Sequence, residues 1–260
     1  MHMEKEFKGK IIAIGGGEMG RPGYPVETTK IDKEIIRLTG KKHPRVLFIP
    51  TASGDSPSYY EVFKKHYEKR LGAKTDVLYL LDNNLNNKQI AEKILNADAV
   101  YVGGGNTLRL MNAWRKKGVD KIIKMALRKG IVLSGVSAGS ICWFKWGNSD
   151  SRKSSAQSQN FIIVRGTGVI SLAHCPHFDH EKEREGSLKK MVKKTKDVCI
   201  ALDNCAALEV VDGAYRIIFS KQTANAYKIY YSNGRYKKEL IKKDDQFNYL
   251  ARLMSRSSCC

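Results

Sequence analysis

No apolar run in this chain of 260 residues approaches the ~20 residues that a membrane-spanning helix needs. The opening Met1-His2-Met3-Glu4-Lys5 lacks the apolar stretch of a secretory leader. Together these absences lead to the expectation of a cytoplasmic protein with no membrane partner. Cysteine is sparse, with six residues and none at zinc-site spacing. Cys142, Cys175, Cys199 and Cys205 therefore read as reduced, mostly buried thiols. The terminal pair, Cys259 and Cys260, does not match a prenylation box, whose cysteine stands fourth from the end. There is no internal repeat, low-complexity tract or Pro/Gly-rich linker. A chain of this length suits one large α/β domain, so residues 1–260 are expected to form a single one.

Negative charge is also in short supply. The chain carries 26 acidic and 46 basic residues, a formal net charge of +20. Such a field attracts nucleic acid, anionic membranes or acidic substrates. The lysines, however, are dispersed along helix-like stretches such as 121–129 and 189–196. Neither a helix-turn-helix nor an aromatic RNA-binding motif accompanies them, which argues for a solvated basic surface over a nucleic-acid footprint. The hydrophobic share of 42% and the charged share of 28% are those of an ordinary folded domain.

What the chain does have is alternation. Short apolar runs at 11–14, 46–49, 77–80, 99–102 and 131–133 read as strands. Between them lie amphipathic stretches at 27–39, 59–71, 88–95, 107–117 and 120–128 that read as helices. This is the pattern of a mostly parallel sheet covered by helices on both faces. Residues 181–196 read as a charged helix. The runs 207–211, 215–219 and 226–230 then read as antiparallel strands, with Asp212-Gly213 as a turn between the first two.

In open α/β sheets the active site lies beyond the carboxyl ends of the strands. Here the strands lead into Gly15-Gly16-Gly17-Glu18, Pro50-Thr51-Ala52-Ser53, Gly103-Gly104-Gly105-Asn106-Thr107 and Ser134-Gly135-Val136-Ser137-Ala138-Gly139-Ser140. Gly135-Val136-Ser137-Ala138-Gly139 matches the G-x-S-x-G nucleophile elbow, between a strand and an expected apolar helix. Small neighbours are needed there because the turn is tight and the hydroxyl must stay exposed. The alternative is an N-cap serine in a plain strand-to-helix loop.

A serine hydroxyl needs a base, and His174, His177 and His180 cluster downstream with Pro176 and Asp179. Metal ligation by the three imidazoles and Asp179 is one reading, but Pro176 argues against a helix that would align them. Buried or solvated histidines without chemistry are the second reading, and a catalytic base is the favoured third. The 103–107 loop lacks a Walker lysine and the dinucleotide spacing. It reads as a tight turn, as a phosphate site at a helix N-terminus, or as an oxyanion hole that pairs glycine N–H with the N–H after the nucleophile.

Val102-Gly103-Gly104-Gly105-Asn106-Thr107, Gly135-Val136-Ser137-Ala138-Gly139 and Pro176-His177-Phe178 occur in the order and separations of the peptidase E family of serine peptidases. Ile49-Pro50-Thr51-Ala52 agrees as well, and the chain resembles that family over residues 10–219. The family includes aspartyl dipeptidases and, more distantly, cyanophycinases. Its fold is similar to that of class I glutamine amidotransferases, which carry cysteine where this chain has Ser137. The resemblance implies an α/β fold of that kind: a mostly parallel sheet with helices on both faces and an antiparallel C-terminal extension.

It further implies Ser137 as nucleophile, His177 as base, and the Gly105 and Ala138 N–H groups as the oxyanion hole. The acid is expected in the loop after the serine, where Asp150 is the available carboxylate. Asp179, two residues beyond the base as in amidotransferases, is the runner-up. The implied activity is hydrolysis of short peptides, Asp-X dipeptides among them, through a Ser-His-Asp triad and an acyl-enzyme, with no metal or organic cofactor. A cyanophycinase-like hydrolase is the nearest alternative, although a cationic surface repels the arginine side chains of its polymer. A non-catalytic module that binds a ligand or nucleic acid on the same fold is the second class.

Overall fold

Five short strands, four of them largely apolar, form the parallel centre of an eight-stranded sheet in the computed structural model, which describes residues 8–81, 84–152, 161–180 and 182–256. Met1 to Lys5, Cys259 and Cys260 lie outside the described residues. The central strands are β1 (Lys10–Ile14), β2 (Arg45–Ile49), β3 (Lys74–Val77), β4 (Ala99–Val102) and β5 (Val132–Val136), ordered β1-β5-β4-β2-β3. Successive side chains point to opposite faces of a strand, so both faces of these strands must be covered. On one face Ile12, Ile14, Phe48, Tyr101 and Val132 pack with Ile31 and Ile35 of α1 (Thr29–Leu38) and Phe63 of α2 (Pro57–Lys64). On the other, Ile11, Leu47, Val100 and Leu133 pack with Ile94 of α3 (Asn87–Leu95), Leu110 and Trp114 of α4 (Thr107–Lys116), and Ile123 of α5 (Val119–Arg128).

The antiparallel extension continues the same sheet past β1. It consists of β10 (Ala206–Val211), β11 (Ala214–Phe219) and the short β14 (Asn248–Tyr249). Asp212 and Gly213 join β10 to β11 with φ of +43° and +83°, the left-handed pair that a two-residue hairpin turn demands.

A second, six-stranded sheet was not anticipated. Its order is β13-β12-β9-β8-β6-β7, built from β6 (Phe144–Ser149), β7 (Ile162–Arg165), β8 (Ile170–Cys175), β9 (Cys199–Leu202), β12 (Ala226–Ser232) and β13 (Arg235–Leu240). The helix α7 (Lys182–Thr195) covers one face, with Leu188 and Val192 against Trp146, Cys175 and Cys199. Thus the run at 226–230 is antiparallel, as expected, but belongs to this sheet.

The helix expected after Ser137 is also shorter than its apolar sequence suggests. It is a single turn, α6 (Ala138–Ile141), after which Cys142 O accepts from Thr167 N–H at 2.8 Å and Thr167 Oγ1 at 2.7 Å. The aromatic run after that turn favours strand and becomes β6. The third expected strand is displaced too. Leu78 N–H still donates to Phe48 O of β2 at 2.9 Å, after which the chain turns away and Leu80 N–H donates to Asp55 Oδ2 at 2.5 Å; Leu78 and Leu80 are buried in the core without being strand.

Candidate active site

Ser137 stands where β5 ends and α6 begins, at φ +56° and ψ −113°. That conformation is costly for a residue with a Cβ, and its neighbours explain how it is held. Ser137 N–H donates to Ile14 O of β1 at 3.0 Å. A Cβ on Gly135 would lie 2.4 Å from Gly139 O, and one on Gly139 would lie 2.1 Å from Val102 O. Both glycines of the elbow are thus required by backbone packed against backbone.

The imidazole of His177, carried by the second sheet, meets the serine at the end of β5, with Nε2 2.8 Å from Ser137 Oγ. His177 lies just beyond β8 and is itself at φ +51°. Its N–H donates to Gly15 O at 3.1 Å, which ties it to the glycine loop after β1. Burial pushes its pKa below the ordinary histidine value. A hydrogen bond with Asn204 opposes that shift, the Arg184 guanidinium adds to it, and the Asp150 and Asp179 carboxylates act in the raising direction.

The other two clustered histidines face elsewhere. His174 is fully buried and its pKa is pushed down to about 3, chiefly by loss of hydration. Its neutral ring lies 2.9 Å from Ile200 O through Nδ1 and 2.8 Å from Ser140 Oγ through Nε2, so it braces the turn beneath Ser137. His180 is exposed.

The N–H groups around Ser137 divide into satisfied and free. Gly103 N–H donates to Ile49 O at 3.1 Å, Asn106 N–H to Ala52 O at 2.9 Å, and Gly104 N–H to Tyr59 Oη at 3.3 Å. Among the described residues, neither Gly105 N–H nor Ala138 N–H has a protein acceptor. Gly105 adopts φ +133°, and a Cβ there would lie 2.5 Å from Ala52 O. Two unpaired donors beside a half-buried hydroxyl are what a tetrahedral oxyanion needs. Because α6 is only one turn long, its contribution is this free N–H rather than a helix dipole.

Neither candidate acid reaches the imidazole. Asp150 Oδ2 lies 3.7 Å from Arg184 Nη2, with its side chain 46% exposed. Asp179 Oδ1 instead accepts Asn204 N–H at 2.9 Å. The atom that meets His177 Nδ1 is Asn204 Oδ1, at 2.7 Å. Sequence reading missed Asn204 because the short run Cys199–Leu202 was not taken as a strand. β9 ends there, and inspecting the residues just past every strand end, this one included, would have reached the asparagine.

Ser137, Gly105 and His177 open onto a cleft of about 980 Å³ whose walls carry Glu18, Arg21, Glu61 and Lys65. Glu18 and Arg21 are paired at 2.9 Å. A hydroxyl, an imidazole in contact with it, and free N–H donors beside it define a serine hydrolase in chemical terms.

The chain belongs to peptidase family S51, whose family model matches residues 11–218, and so to the peptidase E group of serine peptidases. It is 32% identical over 225 residues to an uncharacterized peptidase of Bacillus subtilis, YgaJ, which spans 85% of this chain and 91% of that one. It is 25% identical over 199 residues to peptidase E of a Nostoc species, covering 73% of this chain and 78% of the relative. A crystal structure of a peptidase from an acI-B1 actinobacterium shares the fold, with a TM-score of 0.71 over 96% of this chain and 100% of that chain at 20% identity.

Proposed function

We propose that this serine peptidase cleaves short peptides through an acyl-enzyme, with Ser137 as nucleophile, His177 as base, and Gly105 and Ala138 N–H as oxyanion donors. The observation that carries the reading is the 2.8 Å contact between Ser137 Oγ and His177 Nε2, at a serine held in a strained elbow. His177 accepts the hydroxyl proton as Oγ attacks the scissile carbonyl. The C–N bond then breaks as His177 returns that proton to the leaving amine. Water repeats the cycle on the ester and releases the acid. Each oxyanion donor contributes about 3 kcal/mol to the barrier reduction.

Peptides with N-terminal aspartate are the proposed substrate class. Such a molecule carries an ammonium and a carboxylate close together, and the cleft offers acidic Glu18 and Glu61 beside basic Arg21 and Lys65. The net charge of +20 adds a long-range attraction for anionic substrates. The test is a panel of dipeptides varied at the first residue, with Asp-X expected to give the highest kcat/KM. Ser137→Ala should lower kcat by on the order of 10⁴-fold or more with unchanged folding. An Asp-X rate below that of neutral dipeptides would reject the specificity, and turnover retained by Ser137→Ala would reject the nucleophile.

A further inference from the structure

In this protein a neutral amide occupies the place of the carboxylate expected behind the catalytic imidazole. We infer that Asn204 is the positioning residue of His177, and that the base works without an acid in contact with it; this rests on the proposed role of Ser137 and His177. An amide oxygen can only accept, so Asn204 Oδ1 at 2.7 Å requires the proton on His177 Nδ1. That leaves the Nε2 lone pair facing Ser137 Oγ, the tautomer that a general base needs.

The amide is built in rather than loosely attached. Asn204 N–H is held by Asp179 Oδ1 at 2.9 Å, and the next residue, Cys205, donates its N–H to Gly16 O at 2.9 Å. Asp203 N–H donates to Asn225 O at 3.0 Å on the other side. Gly16 lies flat against the pair: a Cβ there would stand 1.9 Å from Asn204 Oδ1 and 2.4 Å from His177 Nδ1. The glycine loop after β1 therefore admits the His177–Asn204 pair. Asp179 acts on the imidazole through the Asn204 backbone and does not touch it.

The charges around the ring are Arg184 and Asp150, opposed to each other at 3.7 Å, Asp179 beyond Asn204, the Glu18–Arg21 pair across the cleft, and, lining the cavity on the Asn204 side, Glu27, Glu185, Asp203, Lys221 and Lys238. None of these carboxylates takes the Nδ1 proton. A base of this design loses the stabilisation that a carboxylate gives the imidazolium, and in exchange stays unprotonated to lower pH.

The experiment measures the second-order rate at which an alkyl fluorophosphonate labels Ser137, between pH 5 and pH 9, in the wild type, Asn204→Ala and Asn204→Asp. With its imidazole unanchored, Asn204→Ala should label about 10²-fold more slowly while melting within a few degrees of the wild type. Asn204→Asp places a carboxylate on Nδ1 and should move the pH midpoint of labelling upward by about one unit or more. Labelling by Asn204→Ala at the wild-type rate, or an unmoved midpoint in Asn204→Asp, would overturn the inference. No labelling of Ser137 in the wild type would instead remove the nucleophile, and the inference with it.

Discussion

Replacing Gly16 with alanine should separate catalysis from folding. Ordinary contact for a Cβ begins near 3.4 Å, whereas Asn204 Oδ1 would stand at 1.9 Å and the His177 ring atoms at 2.4 and 2.5 Å. The amide must therefore retreat by about 1.5 Å and the imidazole by about 1 Å. All three atoms belong to side-chain ends, and Gly16 does not require a positive φ, so rotation can relieve the clash without moving the sheet. That same rotation breaks the 2.8 Å contact between Nε2 and Ser137 Oγ. A displacement of 1 Å in a reacting group costs about 10²-fold in rate, so kcat/KM should fall by about that factor or more. Stability should fall by no more than about 1–2 kcal/mol. Gly139→Ala is the contrast. Its Cβ would meet Val102 O at 2.1 Å and Val102 C at 2.6 Å, backbone atoms of β4 that cannot turn aside, and it should cost about 3 kcal/mol or more. The assay is kcat/KM on the best dipeptide beside chemical denaturation of each variant. Wild-type kcat/KM in Gly16→Ala, or a loss of stability equal to that of Gly139→Ala, would refute the reasoning.

Because burial holds His177 below its ordinary pKa and Asp150 acts in the raising direction, the acid limb of kcat/KM should have its midpoint below pH 6.5, and Asp150→Asn should move it lower still. Turnover at neutral pH should stay within about tenfold, whereas a triad acid would cost about 10⁴-fold; a loss of the larger size would restore Asp150 to the triad. Away from the site, buried Glu209 has its pKa raised to about 7 by loss of hydration, opposed by Arg216 and supported by Glu34. A raised carboxyl pKa means the folded form holds its proton longer, so this group weakens the fold as pH climbs from about 4.5 through 7. Glu209→Gln, which mimics the protonated state, should gain stability relative to the wild type between pH 5 and pH 8 in denaturant titrations; a constant difference would contradict this.

Much of the site was legible because its residues obey local rules. The elbow needs small neighbours wherever it occurs, and Gly135, Ser137 and Gly139 carry that need in the sequence itself. Among the three clustered histidines, His177 was singled out only by the family resemblance that Pro176-His177-Phe178 carries. The strands β1, β2 and β4 are buried on both faces and read as apolar runs for that reason. What failed was non-local. Whether Asp150, Asp179 or Asn204 reaches Nδ1 depends on the left-handed turn at His177, which leaves no pattern nearby, and on the end of β9, which only the short apolar run Cys199–Leu202 marks. The run from Ile141 to Trp146 is apolar but for Lys145 in either conformation; pairing with β7 and β8 in the second sheet makes its second half, from Phe144, strand. The glycines at 15–17 were legible only as a loop beyond the end of a strand. Gly16 makes room for the His177–Asn204 pair.

The nucleophile is the claim on which the rest depends, and peptide mapping of the intact protein after fluorophosphonate treatment tests it most directly. A single phosphonylated serine is expected, at Ser137, and it should be lost when His177 is replaced by alanine. An adduct on Ser134 or Ser140 instead, or labelling at Ser137 that is indifferent to His177, would contradict that claim.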